Sequence, residues 1–385
     1  MTPAIVVVAY NRAESLKRLL GSLKNAAYPV GVSVPLIISV DKGDNEDVID
    51  AADGFEWEYG DKQVITHETN LGLKKHVLEC GDKAVNYGSA IILEDDLMVS
   101  EGFYGYTLQA LEFAKEHKSI GGVSLYNHLL NVHSRRPFCA VEDGYDNYYF
   151  QFASSWGQAY TGEMWSGFKE WLSVNDGRSI EGRDMPDNVS GWSDSSWLKY
   201  NIRYLIDKNM YFMYPRVSLT TNFMSEGTHS KSATADLQVP MLYGRGKKYV
   251  FSGPDESKAV YDAFFENRCL AQTIAVREGV AAGECMVDLY GQKNYSGEKD
   301  IKRLVSSKAL PYRVIKSYGI SLRPLEANVM YEIPGDEFFL YDTAQKGEMP
   351  VKSSGERLLY DNRALKLKDM AGIIKHRIKN GGLRR

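Results

Sequence analysis

The sequence predicts an α/β protein with a mostly parallel sheet and helices on both faces. Two observations carry this expectation. Strand-like and helix-like segments alternate through the first third of the chain. The run Ala90-Ile91-Ile92-Leu93 is apolar throughout, as a buried strand is, and it ends directly in three acids, Glu94-Asp95-Asp96. Open α/β sheets hold their ligands at the carboxyl ends of their strands, so the acids fall where a site is expected.

Ile5-Val6-Val7-Val8 is a β-branched run with a polar exit at Ala9-Tyr10-Asn11-Arg12. Leu16, Leu19, Leu20 and Leu23 then give Glu14 to Leu23 helical spacing. Leu36 to Val40 is a second strand ending in Asp41. Val64 to Thr66 is a third, followed by Asn70-Leu71-Gly72 and a helix reaching about Val85. The fourth strand leads into the acids, and a helix from about Tyr104 to Phe113 and a strand at Ile120 to Ser124 follow. From Tyr145 to Tyr214 Trp, Tyr and Gly become dense. Lys231 to Lys258 reads as loop, Asp262 to Glu278 as helix, and Val287 to Leu359 as short strands and turns. The expected divisions are a principal domain at 1–240, with halves at 1–125 and 126–240, an accessory region at 241–360 and a tail at 361–385.

The tail from Arg363 to Arg385 carries eight Lys/Arg against one acid, Asp369. Leu367, Met370, Ile374 and Ile378 fall at helical spacing. Such a helix can lie on an anionic membrane surface, and equally well dock on the domain with its basic face in water. The chain's 385 residues, 44% hydrophobic and 25% charged, are those of an ordinary soluble protein. A net charge of −4 excludes a chain built to coat nucleic acid. Four scattered cysteines without a CxxC pair imply neither a zinc site nor a disulfide framework, and suit a reducing compartment. The first residues lack a basic segment followed by a long apolar core, so no signal peptide is expected. No apolar stretch approaches the roughly 18–20 residues that span a bilayer. The expected location is the cytoplasm, with the tail as a route to the inner membrane face.

Three adjacent carboxylates repel one another unless a cation or polar ligand shares their site. Hard divalent ions such as Mn²⁺ or Mg²⁺ take oxygen ligands and are often shared with phosphates, so a metal–diphosphate site is one reading; a solvated acidic turn is the other. On a parallel sheet the exits at Ala9, Tyr10, Asn11 and Arg12, at Asp41 and at the triplet converge on one edge. Polar loop atoms and Asp41 there could grip a nucleotide, although Asp41 also suits a strand-end turn.

The Val-Val-Ala-Tyr-Asn-Arg opening and the Leu-Glu-Asp-Asp-Leu motif resemble those of GT-A glycosyltransferases, bacterial family 2-like enzymes included. Within that fold the similarity is to N-acetylglucosaminyltransferase I and its relatives, which carry a Glu-Asp-Asp variant of the usual Asp-x-Asp motif. It continues through Gly122-Val123-Ser124-Leu125-Tyr126-Asn127, Ser155-Trp156-Gly157, Met164-Trp165, Trp192 to Trp197, and Tyr214-Pro215-Arg216-Val217-Ser218, with Gly227-Thr228-His229 resembling the donor-covering loop. It covers about residues 1–230. By resemblance, 1–125 is the nucleotide-binding half and 126–240 the acceptor half.

The resemblance implies an inverting, metal-dependent transfer from a UDP-sugar, UDP-GlcNAc being favoured, to a glycan or lipid-linked glycan hydroxyl. Asp96 would bind Mn²⁺ or Mg²⁺. Glu94 and Asp95 would face the ribose and a metal-bound water, and Asp41 would hold the uracil. His229 would touch the diphosphate or metal, unless it is a surface histidine. Asp194 would be the general base, since inverting transfer needs a carboxylate opposite the leaving diphosphate. The family places two acids between its tryptophans; here one acid stands among three serines and the spacing is two residues longer. Asp194 also suits a helix N-cap. Two other readings are a sugar-nucleotide pyrophosphorylase and a non-catalytic sugar- or membrane-binding protein. The first exit, Ala9 to Glu14, lacks the glycines of a pyrophosphorylase phosphate loop, and a dead scaffold has no need of three acids together.

Overall fold

A computed structural model describes residues 2–223, 237–295, 300–352, 355–362 and 366–379. The chain forms two compact units, Met1–Ala271 with Gln292–Gly297, and Gln272–Gly291 with Glu298–Arg385.

In chain order the first unit comprises β1 (Ala4–Ala9), α1 (Ala13–Lys24), β2 (Leu36–Val40), α2 (Asp47–Asp53), β3 (Lys62–Thr66), α3 (Leu73–Gly81), α4 (Lys83–Asn86), β4 (Ser89–Glu94), β5 (Leu97–Val99), α5 (Phe103–Lys115) and β6 (Ile120–Ser124). Then come β7 (Leu130–Asn131), β8 (Arg136–Pro137), β9 (Asn147–Phe150), β10 (Gln158–Thr161), α6 (Gly162–Asn175), α7 (Asp187–Ser190), α8 (Trp197–Asp207), β11 (Tyr211–Pro215), β12 (Thr220–Asn222) and β13 (Val260–Tyr261). Nine strands form one mixed sheet in the order β13-β9-β11-β6-β10-β4-β1-β2-β3. The half β4-β1-β2-β3 is wholly parallel, as the continuous apolar runs predict. Every residue of β1 and β2 is buried. On α1 the stripe Leu16, Leu19, Leu20 and Leu23 is at most 2% exposed, so burial of one face holds this helix on the unit.

Strand register sets the site. Val8 pairs with both Ser39 and Glu94, and Ala9 with Val40. The carboxyl ends of β1, β2 and β4 therefore finish level. Loop bonds tighten this edge: Asp95 N donates to Val8 O at 3.0 Å and Asp41 N to Ala9 O at 2.9 Å.

The chain passes into the second unit within α9 (Arg268–Glu278). That unit contains β14 (Cys285–Asp288), β15 (Arg303–Ser306), β16 (Tyr312–Tyr318), α10 (Leu325–Met330), β17 (Phe338–Lys346), α11 (Glu356–Asp361) and α12 (Leu367–Lys379). Its sheet runs β14-β15-β17-β16.

Two sequence expectations change. The helix expected from Asp262 begins at Arg268, because Asp262 Oδ1 accepts from Phe264 N at 2.9 Å and Glu266 N at 3.0 Å and folds these residues into a turn. Where short strands and turns were expected over 287–359, residues 285–346 hold a four-stranded sheet with a nine-residue strand. Its β16, Tyr-Arg-Val-Ile-Lys-Ser-Tyr, carries too few apolar residues to announce itself. The first compact unit runs past residue 240. β13 extends the first sheet by pairing with β9, and Phe265 packs 4.3 Å from Phe150, centroid to centroid, so the first unit runs on to Ala271.

Candidate active site

Glu94 ends β4, and Asp95 and Asp96 form the turn into β5. The guanidinium of Arg12, the residue before α1, bridges the two aspartates. It donates from Nη1 to Asp96 Oδ2 at 3.0 Å and from Nη2 to Asp95 Oδ1. Each aspartate keeps one further buried oxygen, Asp95 Oδ2 and Asp96 Oδ1, with no hydrogen-bond partner among the described residues. Burial, then repulsion from Asp96 and Asp95, pushes the Glu94 carboxyl up to about 8 against the pull of Arg12. Burial pushes Asp95 up to about 6, with Arg12 the main opposing influence. The cluster thus holds more carboxylate than Arg12 neutralises. Among the described residues no group of three or more His, Cys, Asp or Glu is arranged to enclose a metal. The two orphaned oxygens suit a hard cation that completes its coordination from phosphate and water.

Asp41 closes the neighbouring exit. Its Oδ1 accepts from Lys42 N at 2.9 Å and Leu71 N at 2.8 Å, and its Oδ2 from Gly72 N at 3.1 Å. It is 4% exposed. The carboxylate so fixes the Asn70-Leu71-Gly72 turn, where Gly72 takes φ 74° and starts α3. Beneath it Ser39 Oγ meets His67 Nε2 at 3.1 Å and His76 Nε2 at 2.8 Å. Burial holds His76 down to about 4, so this imidazole is neutral at pH 7. On the other flank Asn11 Oδ1 accepts from Asn45 N at 3.4 Å and Asn11 O from Asn45 Nδ2 at 3.1 Å. A Cβ on Gly43 would stand 1.9 Å from Asn11 Oδ1; only glycine allows this approach. Tyr10 is 40% exposed at the rim.

The later motif fragments meet one another. Asn127 Nδ2 donates to Arg216 O at 2.7 Å, Asn127 N donates to Ser218 Oγ at 3.0 Å, and Asn127 Oδ1 accepts from Tyr148 Oη at 2.8 Å. Thr220 Oγ1 donates to Trp156 O at 2.6 Å. Strand β12 pairs with β5 directly after the acids, and Phe223 N donates to Asp96 O at 2.8 Å. Trp156 is half-buried with its ring 4.7 Å from Tyr126, while Trp165 and Trp197 are core residues. His229, with Gly227 and Thr228, lies outside the described residues.

Asp194 is not the cap of α8. Ser196 is, its side chain accepting from Lys199 N. The Asp194 carboxylate, with an 80% exposed side chain, instead accepts from Lys199 Nζ at 2.6 Å, which also donates to Trp192 O at 2.9 Å. Lys199 holds Asp194 below the usual carboxylate range. Lys74 of α3 donates to Asp194 O at 3.1 Å and lies 4.2 Å over the Tyr200 ring. Through α3 the Asp41 turn and the Asp194 turn share one support. Lys74, Lys199, Ser39, His67, His76 and Gly43 carry no motif, and of these only the Asp-x4-Lys spacing of Asp194 and Lys199 offered a signal.

No known family model matches this chain, and no curated protein does. Among solved structures it has distant likenesses. The mannosyltransferase PcManGT from Pyrobaculum calidifontis, solved with GDP-Man and Mn²⁺, is 10% identical with a TM-score of 0.31 over 45% of this chain and 47% of that one. TarS of S. aureus in complex with UDP-GlcNAc is 13% identical, TM-score 0.37, over 60% and 61%. A further TarS structure gives 14% and 0.33 over 56% and 37%. The chain thus spans less than two thirds of the length of each. Likenesses this remote carry no weight on their own; the residues at the strand ends do.

Proposed function

We propose that this protein is an inverting, metal-dependent glycosyltransferase that moves a sugar from a UDP-sugar to a hydroxyl acceptor. The observation behind it is the level ending of β1, β2 and β4, which gathers Ala9 to Arg12, the Asp41 turn and an under-neutralised acidic triplet on one edge. Bound Mn²⁺ or Mg²⁺ would act as a Lewis acid on the leaving diphosphate. Asp96 would ligate it, with Asp95 and Glu94 toward water and ribose. Arg12 holds the acids together and offers a guanidinium to the same diphosphate. Asp41 orders the turn that flanks the base and retains acceptor capacity on Oδ2. Tyr10 and Asn11 would flank the same nucleotide from the exit of β1.

Asp194 would take the acceptor proton. Its pairing with Lys199 keeps it ionised, and its exposure leaves it open to an acceptor. The donor that the motif resemblance favours is UDP-GlcNAc, and the role is in building a bacterial surface polysaccharide on a glycan or lipid-linked glycan.

The test is hydrolysis of a panel of UDP-sugars with Mn²⁺, with EDTA, and with Asp96→Ala. Turnover of one donor, lost with EDTA and with the substitution, is the expected result. No turnover together with no metal-dependent UDP binding overturns the proposal in favour of a non-catalytic binding protein.

A further inference from the structure

Helix α12 stands out because its side chains are so little covered. Each one that the structure describes, from Lys368 to Lys375 and at Ile378, is exposed. Met370, Ile374 and Ile378, at spacings of four, make one stripe and are 46%, 53% and 58% exposed. Ile373 borders the stripe on one side, and Lys375 and Lys368 border it on the other. A helix of 13 residues has little stability alone in water, so its stripe needs a cover. The preceding α11 is anchored by Arg357, whose Nη1 donates to Leu289 O at 2.7 Å, yet it leaves Leu358 and Leu359 62% and 72% exposed.

We infer that α12, with Leu358 and Leu359, docks on an anionic lipid bilayer, lying in the interface rather than crossing it. No described helix is long and apolar enough to cross. Charge selects this occupant. Residues 366–379 hold five Lys/Arg against Asp369, in a chain of net charge −4. A second copy laid on the same stripe would set Lys368 and Lys375 against their own kind. Anionic headgroups supply the counter-charge, and the acyl boundary takes the isoleucines. The inference stands independently of the sugar-transfer proposal.

Flotation of the full chain with vesicles decides it. Capture by phosphatidylcholine vesicles containing phosphatidylglycerol, weakened by salt, and not by phosphatidylcholine alone, is expected. Lys368→Gln with Lys375→Gln should weaken capture roughly thirtyfold, taking about 1 kcal/mol per lysine near the surface. Ile374→Glu with Ile378→Glu should abolish it while the melting curve of the protein is kept. Absence of capture, equal capture by neutral vesicles, or indifference to both pairs of substitutions overturns the inference. So does a concentration-dependent dimer that Ile374→Glu dissolves, since the stripe then belongs to a second copy.

Discussion

His76, packed beneath the Asp41 turn, makes this protein acid-labile. The imidazole is 2% exposed and bonded to Ser39 Oγ at 2.8 Å. Burial lowers it from 6.5 to about 4, with Asp41 opposing the shift and His67 adding to it. The folded pKa lies below the unfolded one, so as pH falls the unfolded chain binds the proton first. Stability from this group is whole above pH 6.5 and is lost progressively down to about pH 4. The difference of about 2.5 pH units amounts to about 3 kcal/mol. His76→Gln keeps a hydrogen-bonding group but has nothing to titrate. Urea midpoints followed by circular dichroism at steps of pH, wild type against His76→Gln, isolate the term, because the buried His128 and the acids Glu94 and Asp95 titrate alike in both proteins. The wild type should lose about 3 kcal/mol more than the variant over that window. UDP affinity should fall with it, since α3 carries both His76 and the end of the Asp41 turn. Parallel stability curves for the two proteins would refute the reasoning.

Gly43→Ala should push the Asn11 side chain aside, costing up to about 1 kcal/mol in the melt, the value of its bond from Asn45 N, and weakening UDP binding by calorimetry, because the new methyl lands 1.9 Å from Asn11 Oδ1. Asp95→Asn should stabilise the metal-free protein at pH 8 by up to about 3 kcal/mol, the value of a carboxyl raised from 3.8 to about 6, and should erase any Mn²⁺-dependent rise in melting temperature. Asp194→Asn should lower kcat by about 10²- to 10⁴-fold with UDP affinity unchanged. Lys199→Met removes the main cause of the low Asp194 pKa, so the acid limb of the pH–rate profile should move to higher pH.

The parallel half of the sheet was legible because β1, β2 and β4 are short apolar runs with marked exits, with only Val64 and Ile65 announcing the edge strand β3, and because helix α1 shows its buried stripe directly. Strand β10 was not legible: Gln-Ala-Tyr-Thr is fully buried between β4 and β6 although half its residues are polar. Gln158 satisfies itself there by accepting from Tyr160 Oη at 2.8 Å, and a pairing between side chains leaves no trace in a hydropathy pattern. The second unit escaped for a similar reason. Its strands β14 and β15 have four residues each and depend on distant partners, so their order could not be read along the chain.

The site divides along the same line. Adjacent acids are visible in any sequence, but what holds them is not. Arg12 reaches them across 83 and 84 positions; its place at a strand exit marked it as a site residue, but nothing local marked it as the partner of these acids. Asp194 shows the converse. The sequence offered two roles for it, helix cap by position and base by resemblance, and the contacts of α8 remove the first. Ser196 already accepts from the α8 amide, so the carboxylate two residues earlier has no amide to serve. A buried lysine, 4% exposed, is aimed at it instead. Burying an ammonium is unfavourable unless a counter-charge is supplied, so Lys199 constrains Asp194 as much as Asp194 answers Lys199. A carboxylate held ionised in water-accessible space, on a turn braced by the helix that begins at the Asp41 turn, is placed by the fold rather than left over from capping. Lys199→Met, which raises the Asp194 pKa while leaving the carboxylate in place, is the substitution that tests whether Asp194 acts as the proposed base or is a surface acid.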